Sequence, residues 1–226
     1  MTSLPDVSWP RIAGFIRQHT HDLRNELNGL DLEAALLADI VTDPEALEGV
    51  TRMRAEIRKI AADLRGLSSK FADPHPNLAR VSAQDLFLIW QDQLAELLEK
   101  PNVEWNSELG EEYLNVDPSS VASALREVLA NAHSFGSGAK LRACARVSDG
   151  QVLFELHEPK VASVDPARWG RMPFASTRRG GYGLGLCHVM RTIEASGGSI
   201  TWNFDGAATE LVTTLSFPVG EGEGDF

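Results

Sequence analysis

His21, followed at once by Asp22, is the pair in this chain whose residue types are best suited to chemistry. An imidazole beside a carboxylate can be held in one tautomer, which leaves its other ring nitrogen free as a nucleophile. The carboxylate can also take the ring proton as a general base. Arg24 and Asn25 follow three and four residues on, so on a helix they share the face of His21 and offer a cation and an amide to an incoming anion. The plainer alternative is a solvated helix face that carries an ordinary histidine, and this stretch alone leaves that alternative open.

Three further stretches carry chemistry-bearing residues. In residues 126–135, Glu127 and Asn131 are one helical turn apart on a helix whose other side is apolar. A carboxylate and an amide oxygen suit a hydrated Mg²⁺ held largely through phosphate oxygens, although a polar rim on a core helix would look the same. In residues 173–186, glycines at 180, 181, 183 and 185 lead into a helix start, and Arg178 and Arg179 precede them. Backbone N–H groups without Cβ obstruction at a helix N-terminus favour phosphate. In residues 154–160, Glu158 ends a strand, where a buried acid could read an adenine amino group.

These residues need elements to position them. From Pro10 to about Val41 the pattern is helical, with Ile12, Phe15 or Ile16, His19, Leu23, Leu27 and Leu30 along one seam. His21 lies off that seam and is expected to point outward. Residues 42–45, Thr-Asp-Pro-Glu, break the helix and restart it with a cap, a proline and an acid. A second apolar stripe follows through Leu47, Val50, Met53, Ile57, Ile60, Leu64 and Leu67. An antiparallel hairpin cannot cover both stripes by itself, so a homodimer closing a four-helix bundle is expected.

Two prolines within residues 73–77 mark a linker. This divides the chain into a helical hairpin over 1–72, a second domain over 78–217 and an acidic, disordered tail over 218–226. The second domain reads as a helix over 82–98, strands at 103–106 and 113–116, and a helix capped by Asp117 running to about 134. A strand hairpin over 140–147 and 151–157, a long loop over 160–182, a helix over 183–196 and strands at 199–203 and 210–217 follow. The class is α+β, with helices on one face of a mixed, mainly antiparallel sheet.

Composition narrows the function. With 32 acidic against 21 basic residues, the formal charge of −11 argues against binding to nucleic acid or anionic lipid. No apolar run is long enough for a membrane span, and residues 1–6 lack the basic and apolar regions of a signal peptide. Cys144 and Cys187 have no motif spacing, so reduced thiols in a cytoplasmic protein are expected. No Cys/His cluster with metal-ligand spacing is present.

The stretches, in this order, resemble the catalytic core of bacterial two-component sensor histidine kinases over roughly residues 10–217. Residues 21–25, His-Asp-Leu-Arg-Asn, resemble the phosphoacceptor box, and Glu127 with Asn131 resembles the asparagine box. Phe174, Thr177 and Arg178 are similar to the aromatic lid segment, and residues 181–186, Gly-Tyr-Gly-Leu-Gly-Leu, to the second glycine box. The resemblance implies a dimeric helical hairpin followed by a GHKL/Bergerat-type α/β sandwich. It implies ATP and Mg²⁺ as ligands, transfer of the γ-phosphoryl group to His21, and onward transfer to an aspartate of a response-regulator receiver domain. In that scheme Asp22 is the base and Asn25 orients phosphate or a hydrolytic water. Glu127 and Asn131 manage Mg²⁺, Gly181, Gly183 and Gly185 hold phosphates, and Arg178 meets the γ-phosphate. With no sensor domain in the sequence, a separate sensor protein or a very short N-terminus is the expected source of the signal.

One departure stands out. Glu158 occupies the place of the family's first-glycine-box aspartate, and Pro159, Lys160 and Ala162 replace the glycine pattern. ATP is therefore expected to bind weakly, with Lys160 meeting a phosphate. Two other functions remain open: a histidine phosphotransfer protein that relays phosphate without ATP, and a GHKL ATPase or pseudokinase in which His21 is idle.

Overall fold

The structure, a computed structural model, describes residues 8–97, 102–135, 138–174 and 183–220, the side chains of 94–97 and 135 aside. It divides into two compact units, Met1–Asp73 and Pro74–Phe226.

The first unit is a hairpin of α1 (Trp9–Ile40) and α2 (Pro44–Phe71). Pro10 sits in the first turn of α1, where a missing N–H costs nothing. Asp43 caps α2 by accepting the Ala46 N–H at 2.9 Å, with Pro44 next to it. Asp31 on α1 takes Arg54 at 3.0 Å and Arg58 at 3.5 Å from α2, and Trp9 stacks on Phe71 at 5.3 Å between the first residue of α1 and the last of α2.

The expected seam holds in part: Ile12, Ile16, Leu23 and Leu27 are half-buried on α1. Ala13, Thr20 and Ala34 are buried on α1 against Val50, Ile57 and Ala61 on α2, whereas Phe15, His19 and Leu30 are exposed. The apolar residues of α1 form two stripes, and a one-dimensional pattern merges them. The stripe of small residues lets the two helices approach closely. The stripe of large residues, with Phe15 stacked on His19 at 5.8 Å, faces away from α2.

In the second unit, β2 (Val103–Ser107), β4 (Leu141–Ser148), β5 (Gln151–Pro159), β7 (Glu210–Pro218) and β6 (Ser199–Asp205) form one sheet in that spatial order. Only β2 and β4 are parallel, as expected of a mixed, mainly antiparallel sheet. Helices α3 (Ala83–Leu97), α4 (Pro118–Phe135) and α5 (Gly185–Ala195) join one core with the sheet, through Leu86 and Trp90, Leu125 and Leu129, and Val189 and Ile193. Along β5 the alternating residues Val152, Phe154, Leu156 and Glu158 are buried, so Glu158 ends an otherwise apolar row.

A strand that the sequence pattern does not reveal, β1 (Ala79–Ser82), pairs antiparallel with β3 (Tyr113–Val116) in a separate two-stranded ribbon. Its four residues carry no alternation of their own, and cross-strand contacts such as Arg80 over the Tyr113 ring at 4.1 Å hold it. Asp117 then caps α4 by accepting the N–H groups of Ser119 and Ser120 and both their hydroxyls, and it also takes the Asn77 N–H at 3.0 Å.

The expected tail boundary is corrected. Pro218 belongs to β7, the Val219 N–H donates to the Gly150 carbonyl at 3.0 Å, and the Gly220 N–H donates to the Tyr113 carbonyl at 2.6 Å. Strand pairing therefore extends past Phe217, and residues 221–226 lie outside the described residues.

Candidate functional site

The first cluster lies on the exposed face of α1. His21 Nδ1 is 3.3 Å from Asp22 Oδ1, with the two side chains 63% and 55% exposed. Gln18 Nε2 donates to both oxygens of Asp22, at 2.9 and 3.1 Å, and Asn25 Nδ2 lies 3.4 Å from His21 Nδ1. These hydrogen bonds, Gln18 first and His21 second, hold the Asp22 carboxyl below the usual range. Nδ1 has one role at a time: as N–H it donates to Asp22, and as a lone pair it accepts from Asn25. A bond to the charged partner favours the Nδ1–H form, in which the lone pair lies on Nε2.

Gln18 is absent from the sequence-derived set, although a signal for it exists. An amide four residues before an acid on a helix lies on the same face.

The second cluster lies in the second unit, where α4 meets the start of α5. Glu127 and Asn131 are both half-buried on α4. A Cβ placed on Gly185 would overlap Glu127 Oε1, so the first residue of α5 must be glycine for this carboxylate to lie where it does. Leu184 gives α5 no side-chain cap, and Gly183 is in the left-handed region at φ 64°. The positive end of the α5 dipole thus faces an anion, the role that Glu127 fills here and that suits a phosphate group equally. Asn131 Nδ2 is buried and has no hydrogen-bond partner among the described residues. Such an amide beside a carboxylate fits a hydrated Mg²⁺ that takes most of its ligands from phosphate, the amide turning its oxygen inward. Among the described residues no group of three or more His, Cys, Asp or Glu is placed to hold a metal ion by itself.

Thr177, Arg178 and Gly181 lie outside the described residues. On either side of that stretch, the Phe174 N–H donates to the Gly183 carbonyl at 3.1 Å, with Phe174 itself at φ 65°.

The end of β5 departs from expectation. The Lys160 ammonium pairs with Glu158 Oε1 rather than standing free for a phosphate, and the two side chains are only 10% and 7% exposed. Two residues apart in extended backbone, they point to the same side. That spacing is a signal present in the sequence. The Lys160 main chain is pinned as well, its N–H donating to the Thr209 carbonyl at 2.9 Å. Burial pushes the Glu158 carboxyl up, and Lys160 opposes that rise.

A helical hairpin followed by a mixed sheet with three helices is a fold that this chain shares with solved histidine kinase structures. Among solved structures, the chain is similar to full-length ShkA in complex with AMPPNP, at 21% identity and a TM-score of 0.68, over 92% of this chain and 47% of that one. It therefore spans about half the length of that protein. It is also similar to the Acinetobacter baumannii histidine kinase AdeS, at 18% identity and a TM-score of 0.52, over 89% of this chain and 98% of that one. The catalytic domain of the histidine kinase ThkA, in a nucleotide-free form, matches 63% of the chain with 96% of its own, at 17% identity and a TM-score of 0.53. At these identities the likeness is one of fold. No family model matches the chain, and no curated protein does. Among the described residues no helix is long and apolar enough to cross a membrane.

Proposed function

We propose that the protein is a histidine kinase core whose phosphoacceptor is His21. The observation that carries this reading is the His21–Asp22 contact on an open helix face, with Nδ1 turned to the carboxylate. In the reaction Nε2 forms a bond to the γ-phosphorus of ATP. The bond from that phosphorus to the bridging oxygen breaks, and its electron pair leaves on ADP. The Nδ1 hydrogen passes to Asp22. A receiver-domain aspartate of a response regulator then takes the phosphoryl group, and Asn25 orients it or an attacking water.

The nucleotide belongs to the second unit. Glu127 and Asn131 are its Mg²⁺ side, and Gly181, Gly183 and Gly185 with Arg178 are its phosphate side. The metal, when bound, neutralises charge on the phosphate oxygens. The protein works as a homodimer through the exposed stripe of α1 and α2.

One observation favours a second reading, that of a phosphotransfer protein without ATP chemistry. Glu158 is already paired with Lys160 in a buried site, so an adenine amino group would have to displace a lysine. Incubation with γ-labelled ATP decides between them. The kinase reading expects acid-labile, base-stable label that His21→Gln abolishes. Label gained only from a phosphorylated receiver would transfer the assignment to the second reading.

A further inference from the structure

Gln18 stands one helical turn before Asp22 and gives its amide hydrogens to both carboxylate oxygens, 2.9 Å to Oδ1 and 3.1 Å to Oδ2. Oδ1 is also the atom that faces His21 Nδ1, at 3.3 Å. An exposed aspartate has several staggered rotamers open to it, and few of them hold an oxygen against the next residue's ring. Gln18 grips the carboxylate from the N-terminal side and leaves one oxygen turned to the imidazole.

The competing partner of Nδ1 is Asn25, whose Nδ2 lies 3.4 Å away. As a donor, Asn25 favours the ring form in which Nδ1 carries the lone pair and Nε2 carries the hydrogen. In that form Nε2 is no nucleophile.

We propose that Gln18 is a positioning residue that fixes Asp22 against His21 Nδ1 and so selects the Nδ1–H tautomer over the one that Asn25 favours. With Gln18 in place, Nε2 keeps its lone pair. Without it, Asp22 turns away, Asn25 is the remaining neighbour of Nδ1, and the ring inverts its tautomer. The charged groups that act on the Asp22 carboxylate are His21 and His19, both on α1. The kinetic part of this proposal rests on His21 as phosphoacceptor, and the tautomer part does not.

The test uses the full chain, labelled with ¹⁵N at histidine, as wild type, Gln18→Leu and Gln18→Glu. Leucine keeps the size and the helix propensity and removes the donor. Imidazole nitrogen shifts of neutral His21 should report mainly Nδ1–H in the wild type and mainly Nε2–H in Gln18→Leu. Phosphoramidate serves as the phosphoryl donor, since it needs no nucleotide domain. Nε2 bonds to its phosphorus, the P–N bond breaks, the nitrogen leaves as ammonia, and the Nδ1 hydrogen passes to Asp22.

The rate for Gln18→Leu should fall about three- to ten-fold, the net worth of one ordinary hydrogen bond. Gln18→Glu should lose more at neutral pH, where it repels Asp22. An unchanged tautomer, with rates equal to wild type, overturns the proposal. If the tautomer inverts but wild-type His21 takes no phosphate from any donor, the positioning role stands and the phosphoacceptor reading falls.

Discussion

In the proposed reaction, Asp22 is the residue on which the chemistry of His21 turns. Its carboxylate is the only charged hydrogen-bond partner recorded for the ring, among the described residues. Asp22→Asn keeps the shape and removes the base, and should slow phosphoryl transfer to His21 by about 10²–10⁴-fold. Initial rates of label incorporation measure this, and a variant as fast as wild type would mean that the base lies elsewhere. His19 is a useful contrast. It is exposed, but its ring stacks on Phe15, and no acid follows it in the chain. The adjacency of His21 and Asp22 is written in the sequence, and so is the helical face that Gln18 and Asn25 share with them. Which of the three neighbours touches which ring atom is not, because that depends on rotamers.

At the scale of elements, two strand and helix ends carry predictions. Asp117 accepts four hydrogen bonds from Ser119 and Ser120 and one from Asn77, so it both starts α4 and fastens the beginning of the second unit. Its carboxyl is held far below the usual range, first by the Ser119 hydroxyl and next by the Asn77 N–H. Asp117→Ala should cost about 1–2 kcal/mol, the scale of a lost N-cap. A carboxyl depressed in the folded state stabilises above its unfolded pKa of about 3.9, and that contribution is lost as pH falls toward the folded value. Wild type should therefore lose stability below pH of about 4 while the variant's deficit shrinks, which urea melts at two pH values would show.

The end of β5 works differently. Removing one partner of a buried ion pair is expensive, so Lys160→Met should destabilise the second unit by about 3 kcal/mol. The Glu158 carboxylate then has no internal partner, and Mg-ATP should raise the melting temperature more in the variant than in wild type. Equal stability, together with no difference in the response to Mg-ATP, would show that the pair neither supports the fold nor competes with a base.

For the whole molecule, the decisive feature is the stripe that the hairpin leaves open. Phe15, Leu30, Leu37 and Ile40 on α1 and Leu47, Met53 and Ile60 on α2 are exposed large apolar residues. Runs of this kind on a soluble surface mark an interface. Light scattering on the full chain should give the mass of a dimer at micromolar concentration, and Leu30→Glu with Leu37→Glu should give that of a monomer with the same helix content. A monomeric wild type would remove the four-helix bundle from the scheme.

The order of elements was legible because local rules govern it. Pro10, Asp43 with Pro44, and Asp117 with Pro118 mark helix starts, and the turn of Asp149 and Gly150 marks the β4–β5 hairpin. So were the paired types His21–Asp22 and Glu127–Asn131, whose spacing alone puts them on common faces. Tertiary structure decided what spacing cannot encode. It kept Ile12, Ile16, Leu23 and Leu27 half-buried, buried Ala13, Thr20 and Ala34 beside them, and left Phe15 and His19 exposed, a choice the periodic pattern does not make. It recruited β1, which has no alternation of its own and exists only as the partner of β3. It drew Lys160 onto Glu158 because a buried carboxylate needs a counter-charge and the nearest lysine had its backbone already tied to Thr209.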